Sequence, residues 1–197
     1  MATDSKASRV LRDLEQIARQ EGLPSIGPIK GKILTEIISK YKPKIILEIG
    51  TLHGYSAILM ADLLTDKGKL ITIEKDRNLA NIAMKNIEDA ELSHKIEVIH
   101  ADALEEIPKL QKQKFDLIFL DAVKADYLKY LNLAESNNLL DDGVVVVADN
   151  VLLYKNEMRD YLQYVRVSGR YQSQTTETTL EFTKNVKDAL EVSVKIN

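Results

Sequence analysis

The feature that most constrains this chain is a unit that recurs five times: a short apolar run closed by a glycine or polar residue, then residues spaced for a helix. Lys44 to Ile49, Leu70 to Ile73, Ile96 to Ile99, Phe115 to Leu120 and Val144 to Ala148 are short and almost continuously apolar, the mark of strands buried on both faces. Tyr55 to Leu64, then Leu79, Ile82, Ala83 and Ile87, then Tyr127, Leu131 and Ala134, follow a helical period. This alternation predicts an α/β fold, a parallel sheet covered by helices on both faces. Val10, Leu14, Ile17 and Ala18, and again Ile29, Ile33, Ile37 and Ile38, place two helices ahead of the first strand, within residues 1–42. After a helix near Met158 to Val165, the extended stretches Tyr171 to Phe182 and Leu190 to Ile196, joined by the turn-like Asn185 to Asp188, predict an antiparallel hairpin at the sheet edge.

With 197 residues, the chain suits a single domain over 1–197. Lys and Arg total 27 against 30 Asp and Glu, a net charge of -3, which argues against nucleic acid as a partner. There is no cysteine, so disulfides, thiolate nucleophiles and sulfur-ligated metals are excluded. Any metal must rest on oxygen or on His53, His94 and His100, which lack metal-ligand spacing. The opening MATDSKASRVLRDLEQIARQ is charged throughout, and no apolar run approaches the roughly 18 residues of a membrane span, so a cytoplasmic location without membrane partners is expected.

In an open parallel sheet, ligands bind beyond the carboxyl ends of the strands. The first strand ends Leu47-Glu48-Ile49-Gly50-Thr51-Leu52-His53-Gly54-Tyr55-Ser56, a glycine turn into a helix whose N–H groups a ligand can approach. Leu52 stands where a dinucleotide loop carries its middle glycine, favouring a ligand without a phosphate there. Glu74, at the second strand end, sits near the ~20-residue spacing at which a carboxylate accepts ribose hydroxyls. Asp102, after the third, suits either an adenine amino group or a helix N-cap. Asp121, Asp149 and Asn150 emerge at the fourth and fifth strand ends, an oxygen set suited to Mg²⁺, with Lys124 three residues past Asp121.

Four ordered segments, LEIGTLHGYSAILMADLL, ITIEKD, FDLIFLDAVKADYLKY and VVVVADNVLL, together resemble the Mg²⁺-dependent, S-adenosylmethionine-using O-methyltransferases of Rossmann-like class I fold, nearest to catechol O-methyltransferase. The likeness runs from GPIKGKI at Gly27 to Ile33, through YLQYVR at Tyr161 to Arg166, to Leu180-Glu181-Phe182. The resemblance implies that Glu48, Gly50, Thr51 and Ser56 hold the methionine end of the cofactor, flanked by Ile26, and that Glu74 binds its ribose. It implies that Asp102 and Ala103 border the adenine, and that Asp121, itself beside the cofactor, joins Asp149 and Asn150 in ligating Mg²⁺ or another divalent cation. It further implies that Lys124 is the base, that Lys124 and Asn150 meet the substrate, and that Glu181 receives the second hydroxyl of a catechol.

The chain has no tryptophan, and the resemblance places Val123 and Tyr154 at two positions of the wall around the acceptor ring. A small aromatic diol is the expected substrate and a monomer or homodimer the expected state. The alternatives are a related caffeoyl-CoA-like O-methyltransferase, a nicotinamide-dependent oxidoreductase, for which the G-x-G-x-x-G loop is missing, and a non-catalytic cofactor-binding protein, which would have no need of the Asp121, Lys124, Asp149 and Asn150 set.

Overall fold

The computed structural model describes residues 5–111, 113–183 and 185–196. Two helices, α1 (Lys6–Glu21) and α2 (Gly27–Tyr41), precede an alternation of β1 (Ile45–Ile49), α3 (Tyr55–Leu63), β2 (Lys69–Glu74), α4 (Arg77–Asp89), β3 (Ile96–His100), α5 (Ala103–Glu106), β4 (Phe115–Leu120), α6 (Tyr127–Ser136) and β5 (Leu140–Ala148). Helix α7 (Arg159–Val167) then leads into β6 (Tyr171–Thr179) and β7 (Lys187–Lys195). One seven-stranded sheet results, ordered β3-β2-β1-β4-β5-β7-β6. Strands β1 to β5 pair in parallel, whereas β7 runs antiparallel to both β5 and β6. The mostly parallel Rossmann-like sheet with a C-terminal antiparallel pair, expected from the sequence, is the one observed.

Because side chains alternate across a strand, each central strand feeds two cores. Ile46, Leu70, Leu117, Phe119, Val145 and Val147 pack with residues of α1 to α4 such as Leu34, Ile58 and Ala83. Leu47, Ile49, Ile71, Ile118, Leu120 and Val146 pack with Leu131, Tyr161 and Val165 from α6 and α7. Buried Lys95 donates to the carbonyls of Ala61 and Leu64, satisfying the C-terminal end of α3. Arg166 of α7 forks onto the buried Glu191 of β7 at 2.7 and 2.8 Å.

Some boundaries differ from the sequence reading. Asp141-Asp142-Gly143 lies within β5, where the ladder steps from Phe115↔Leu140 to Leu117↔Val145 and Gly143 takes a φ of 69°; the irregularity absorbs residues that look like a turn. Asp188, expected in a turn, belongs to β7 and pairs with Thr178. Ile17 and Ile29 lie on exposed flanks of their helices; the buried face of α2 instead carries Lys30, Leu34, Ile37 and Ile38.

Candidate active site

Since β1 to β5 are parallel, their carboxyl ends share one edge of the sheet, and a cavity of about 700 Å³ opens there. The expected site residues Ile26, Gly50, Thr51, Ser56, Glu74, Asp102, Ala103, Asp121, Lys124, Asp149, Asn150 and Glu181 all line it. The end of α1 and the loop that follows, including Arg19, Leu23 and Pro24, complete the lining, with Val123, Leu153 and Tyr154 as partly exposed apolar wall.

Gly50 is required by its surroundings. Its φ is 94°, and a Cβ there would stand 2.3 Å from the Asp121 carbonyl oxygen, so only glycine lets the ends of β1 and β4 come together. Leu52, at the position of a dinucleotide loop's middle glycine, also takes a positive φ of 50°. Glu74 steadies this turn: its Oε2 accepts from the N–H groups of Thr51 and Leu52, at 3.1 and 2.9 Å, and its Oε1 from that of Asp76. A carboxylate offers about four acceptor sites, so roughly one is left for a ligand hydroxyl.

Glu48 departs from the expected lining. It is fully buried and outside the cavity wall, although Gly50, Thr51 and Ser56 beside it belong to that wall. Neither carboxylate oxygen has a hydrogen-bond partner among the described residues. Burial pushes the carboxyl up to about 8, against the lowering influence of the Ser56 and Thr72 hydroxyls. A carboxyl buried beside a cavity, with no hydrogen-bond partner among the described residues, is a group that a cationic part of a ligand would pair with.

Asp102 serves as the N-cap of α5, its Oδ1 accepting from Leu104 N at 2.9 Å, and pairs through Oδ2 with Lys75 at 2.7 Å. Glu181 fulfils a similar function at long range. Its Oε1 accepts from the backbone N–H groups of Ile29 and Lys30, closing the N-terminus of α2, where no local side chain caps the helix. Gly27 permits this approach, because a Cβ there would lie 2.5 Å from the Glu181 Cγ. Burial raises the Glu181 carboxyl, opposed by those two N–H groups.

At the ends of β4 and β5, charges are closely paired. Lys124 donates to Asp121 Oδ1 at 2.8 Å and to the buried Tyr127 hydroxyl at 2.9 Å. Lys30, 1% exposed, bridges Asp149 Oδ1 and Asp188 Oδ2, each at 2.6 Å, and Asn150 Nδ2 donates to the same Asp188 oxygen at 2.8 Å. The last bond fixes the Asn150 amide, whose backbone is held at a φ of 64°. Burial and the Asp121 charge push Asp149 up to about 7 despite Lys30. Burial would also raise Asp188, but the bonds from Lys30 and Asn150 hold it below the usual range.

Lys30 and Asp188 are the residues that sequence reasoning missed. A signal existed for the first: the spacing 30, 34, 37 and 38 is itself helical and places Lys30 on the apolar face. Among the described residues no three His, Asp or Glu side chains converge as a metal site; the donor set is two carboxylates and an amide. Asp121 Oδ2, Asp149 Oδ2 and Asn150 Oδ1 take no hydrogen bond from the described residues.

No described helix is long and apolar enough to cross a membrane. The family model for O-methyltransferase matches residues 1–191. Catechol O-methyltransferase B of Danio rerio is 35% identical over 198 residues, covering 98% of this chain and 74% of that protein. Catechol O-methyltransferase of Mus musculus is 32% identical over 211 residues, covering 96% and 78%. The crystal structure of an O-methyltransferase from Bacillus cereus in complex with SAH superposes with a TM-score of 0.84 at 28% identity, over 95% of this chain and 91% of that one. A strand-end cavity with a buried carboxylate beneath it, on a fold shared along almost its whole length, thus has one consistent reading: the chain belongs to the O-methyltransferase family and is an S-adenosylmethionine-dependent enzyme of it.

Proposed function

We propose that the acceptor is a vicinal aromatic diol of the catechol kind and that transfer is assisted by a divalent cation, Mg²⁺ by preference. The observation that carries this reading is the convergence of Asp121, Asp149 and Asn150 at two adjacent strand ends, each with an oxygen free of protein hydrogen bonds, beside Lys124. Two carboxylates and an amide oxygen fit a hard cation that keeps positions for water or substrate oxygens, and burial of Asp149 next to Asp121 leaves negative charge for such an ion to balance. Asp121 and Asp149 with Asn150 would hold it. When bound, the cation would acidify a diol hydroxyl placed beside it.

The protein's own groups supply the rest. A phenol of pKa near 10 is only about one part in a thousand ionised at pH 7, so the reacting hydroxyl must lose its proton as it attacks. Lys124 Nζ, positioned by Asp121 and Tyr127, receives that proton when it acts as the neutral amine. The oxygen forms a bond to the methyl carbon as the carbon–sulfur bond breaks, and the sulfur keeps the electron pair. Glu48 pairs with the methionyl ammonium of the methyl donor, Glu74 accepts from its ribose, and Asp102 and Ala103 border its base. Glu181 presents Oε2, free of protein hydrogen bonds, to the second hydroxyl. Holding oxygen and methyl group in line at adjoining strand ends is worth several kcal/mol of barrier. A cytoplasmic setting suits a cysteine-free chain that needs no oxidising compartment.

The test is methyl transfer to 4-methylcatechol with labelled S-adenosylmethionine, with and without chelator, alongside calorimetry of donor binding. Chelation should abolish transfer, Mg²⁺ should restore it, and donor affinity should survive both. Full turnover in excess chelator would refute the assignment of the metal.

A further inference from the structure

The cavity contains a charge that the reaction described above leaves unused. Four cationic side chains line it, Arg19, Lys30, Lys75 and Lys124. Three of them are committed to carboxylates: Lys30 to Asp149 and Asp188, Lys75 to Asp102, Lys124 to Asp121. Arg19 has no ion pair with the described residues. Its guanidinium instead lies over the Phe182 ring, 5.5 Å from the centroid, so the charge is positioned by an apolar surface while its N–H donors meet no acceptor among the described residues.

The position of Arg19 assigns this charge to one end of the cavity. Phe182 follows Glu181, whose Oε1 accepts from Lys30 N, and Lys30 reaches Asp149. Arg19 is thus tied through Phe182 to the segment that carries Glu181, the group proposed above for the acceptor, whereas Glu74 and Asp102 are the groups proposed for the donor's ribose and base. Around the acceptor position the remaining wall is apolar, from Val123, Leu153 and Tyr154. An acceptor ring packed on that wall with its hydroxyls toward Asp121 and Asp149 would point a substituent on its far side away from those strand ends.

We infer that the preferred acceptors are aromatic diols bearing an anionic substituent, a ring carboxylate or a short carboxylate side chain, which Arg19 pairs with at the cavity mouth. This rests on the diol reading proposed above and narrows it. Arg suits the task because its planar fork can meet a carboxylate through two N–H groups. The effect should be moderate, since Arg19 is exposed and salt screens it.

The experiment compares kcat/KM for 3,4-dihydroxybenzoate and 4-methylcatechol in the native protein, Arg19→Met and Arg19→Glu, at low and high ionic strength. Methionine keeps an apolar contact with Phe182 while removing the charge. The ratio of acid to neutral diol should fall roughly three- to tenfold in Arg19→Met, and further in Arg19→Glu. Most of the fall should appear in KM, and the native protein's preference for the acid should shrink at high salt. Transfer to both diols with a ratio unmoved by either substitution would overturn the role of Arg19 and leave the diol reading standing. Transfer to neither, with donor binding intact, would overturn the diol reading and this inference with it.

Discussion

Replacing Glu48 by glutamine should stabilise the empty protein at alkaline pH and weaken its hold on S-adenosylmethionine. The carboxyl ordinarily titrates near 4.5 and is raised to about 8 in the fold, chiefly by burial. Between those values the folded chain retains a proton that the unfolded chain has released. Stability is therefore fully present below pH 4.5 and is lost progressively as the pH rises toward 8. At about 1.4 kcal/mol per tenfold in proton affinity, the loss is at most about 5 kcal/mol, and relaxation around the empty site should reduce it to about 2–3 kcal/mol. Glutamine keeps the shape and has no proton to lose. Both proteins bury an unpartnered polar group, so their stabilities should be close near pH 5 and diverge by pH 8.5, by about 4–12 °C in Tm for a chain of this size. The same substitution removes the partner proposed for the methionyl ammonium, a charged hydrogen bond worth about 1.5–3 kcal/mol, or roughly 10- to 150-fold in Kd. Thermal unfolding across pH and calorimetry of donor binding test the two halves. Parallel pH profiles for the two proteins, or an unchanged Kd, would refute the argument.

Three further outcomes are expected. Lys124→Met should lower kcat by about 10²- to 10⁴-fold while the Kd of the methyl donor changes little; a comparable loss in donor binding would make Lys124 a structural residue. Lys30→Met leaves Asp149 and Asp188 buried without their cation and should destabilise the fold by about 3–5 kcal/mol in urea titration. Mg²⁺ should raise the Tm of that variant more than that of the native protein, and an equal response would argue against a cation at Asp149. Gly50→Ala combines a left-handed backbone with a Cβ forced onto the Asp121 carbonyl, so a loss of about 2–4 kcal/mol is expected, with no loss at all refuting the close approach.

The five parallel strands were legible because strands buried on both faces read as continuous apolar runs, and most candidate site residues were legible because such strands end at one edge. What escaped notice depends on partners far away in the chain. Lys30 looks like a solvated helix lysine until Asp149 and Asp188 are placed against it, and Asp188 looks like a turn residue until β7 pairs with β6. Glu181 was legible as a site residue through resemblance alone; its capping of α2 required knowing that Gly27 leaves room for it. Asp102 had two readings in the sequence, and the structure shows the N-cap among its contacts, at the cavity wall. Glu48 was a candidate through the resemblance, but its lack of a hydrogen-bond partner among the described residues becomes visible only in three dimensions.

The bridge from Lys30 to Asp188 spans 158 residues of chain, and the contact between Lys30 and Glu181 spans 151. Contacts of such separation form late, because much of the chain must already be ordered before their loop-closure entropy is offset. The strands that bear the residues proposed to bind the donor pair with their neighbours over much shorter separations. During refolding, the ability to bind S-adenosylmethionine should therefore precede the ability to transfer its methyl group. The proposed acceptor half of the site, tied together by Lys30, Glu181 and Asp188, should become competent only once β7 has entered between β5 and β6. Catalytic activity in this fold reports that the sheet is complete.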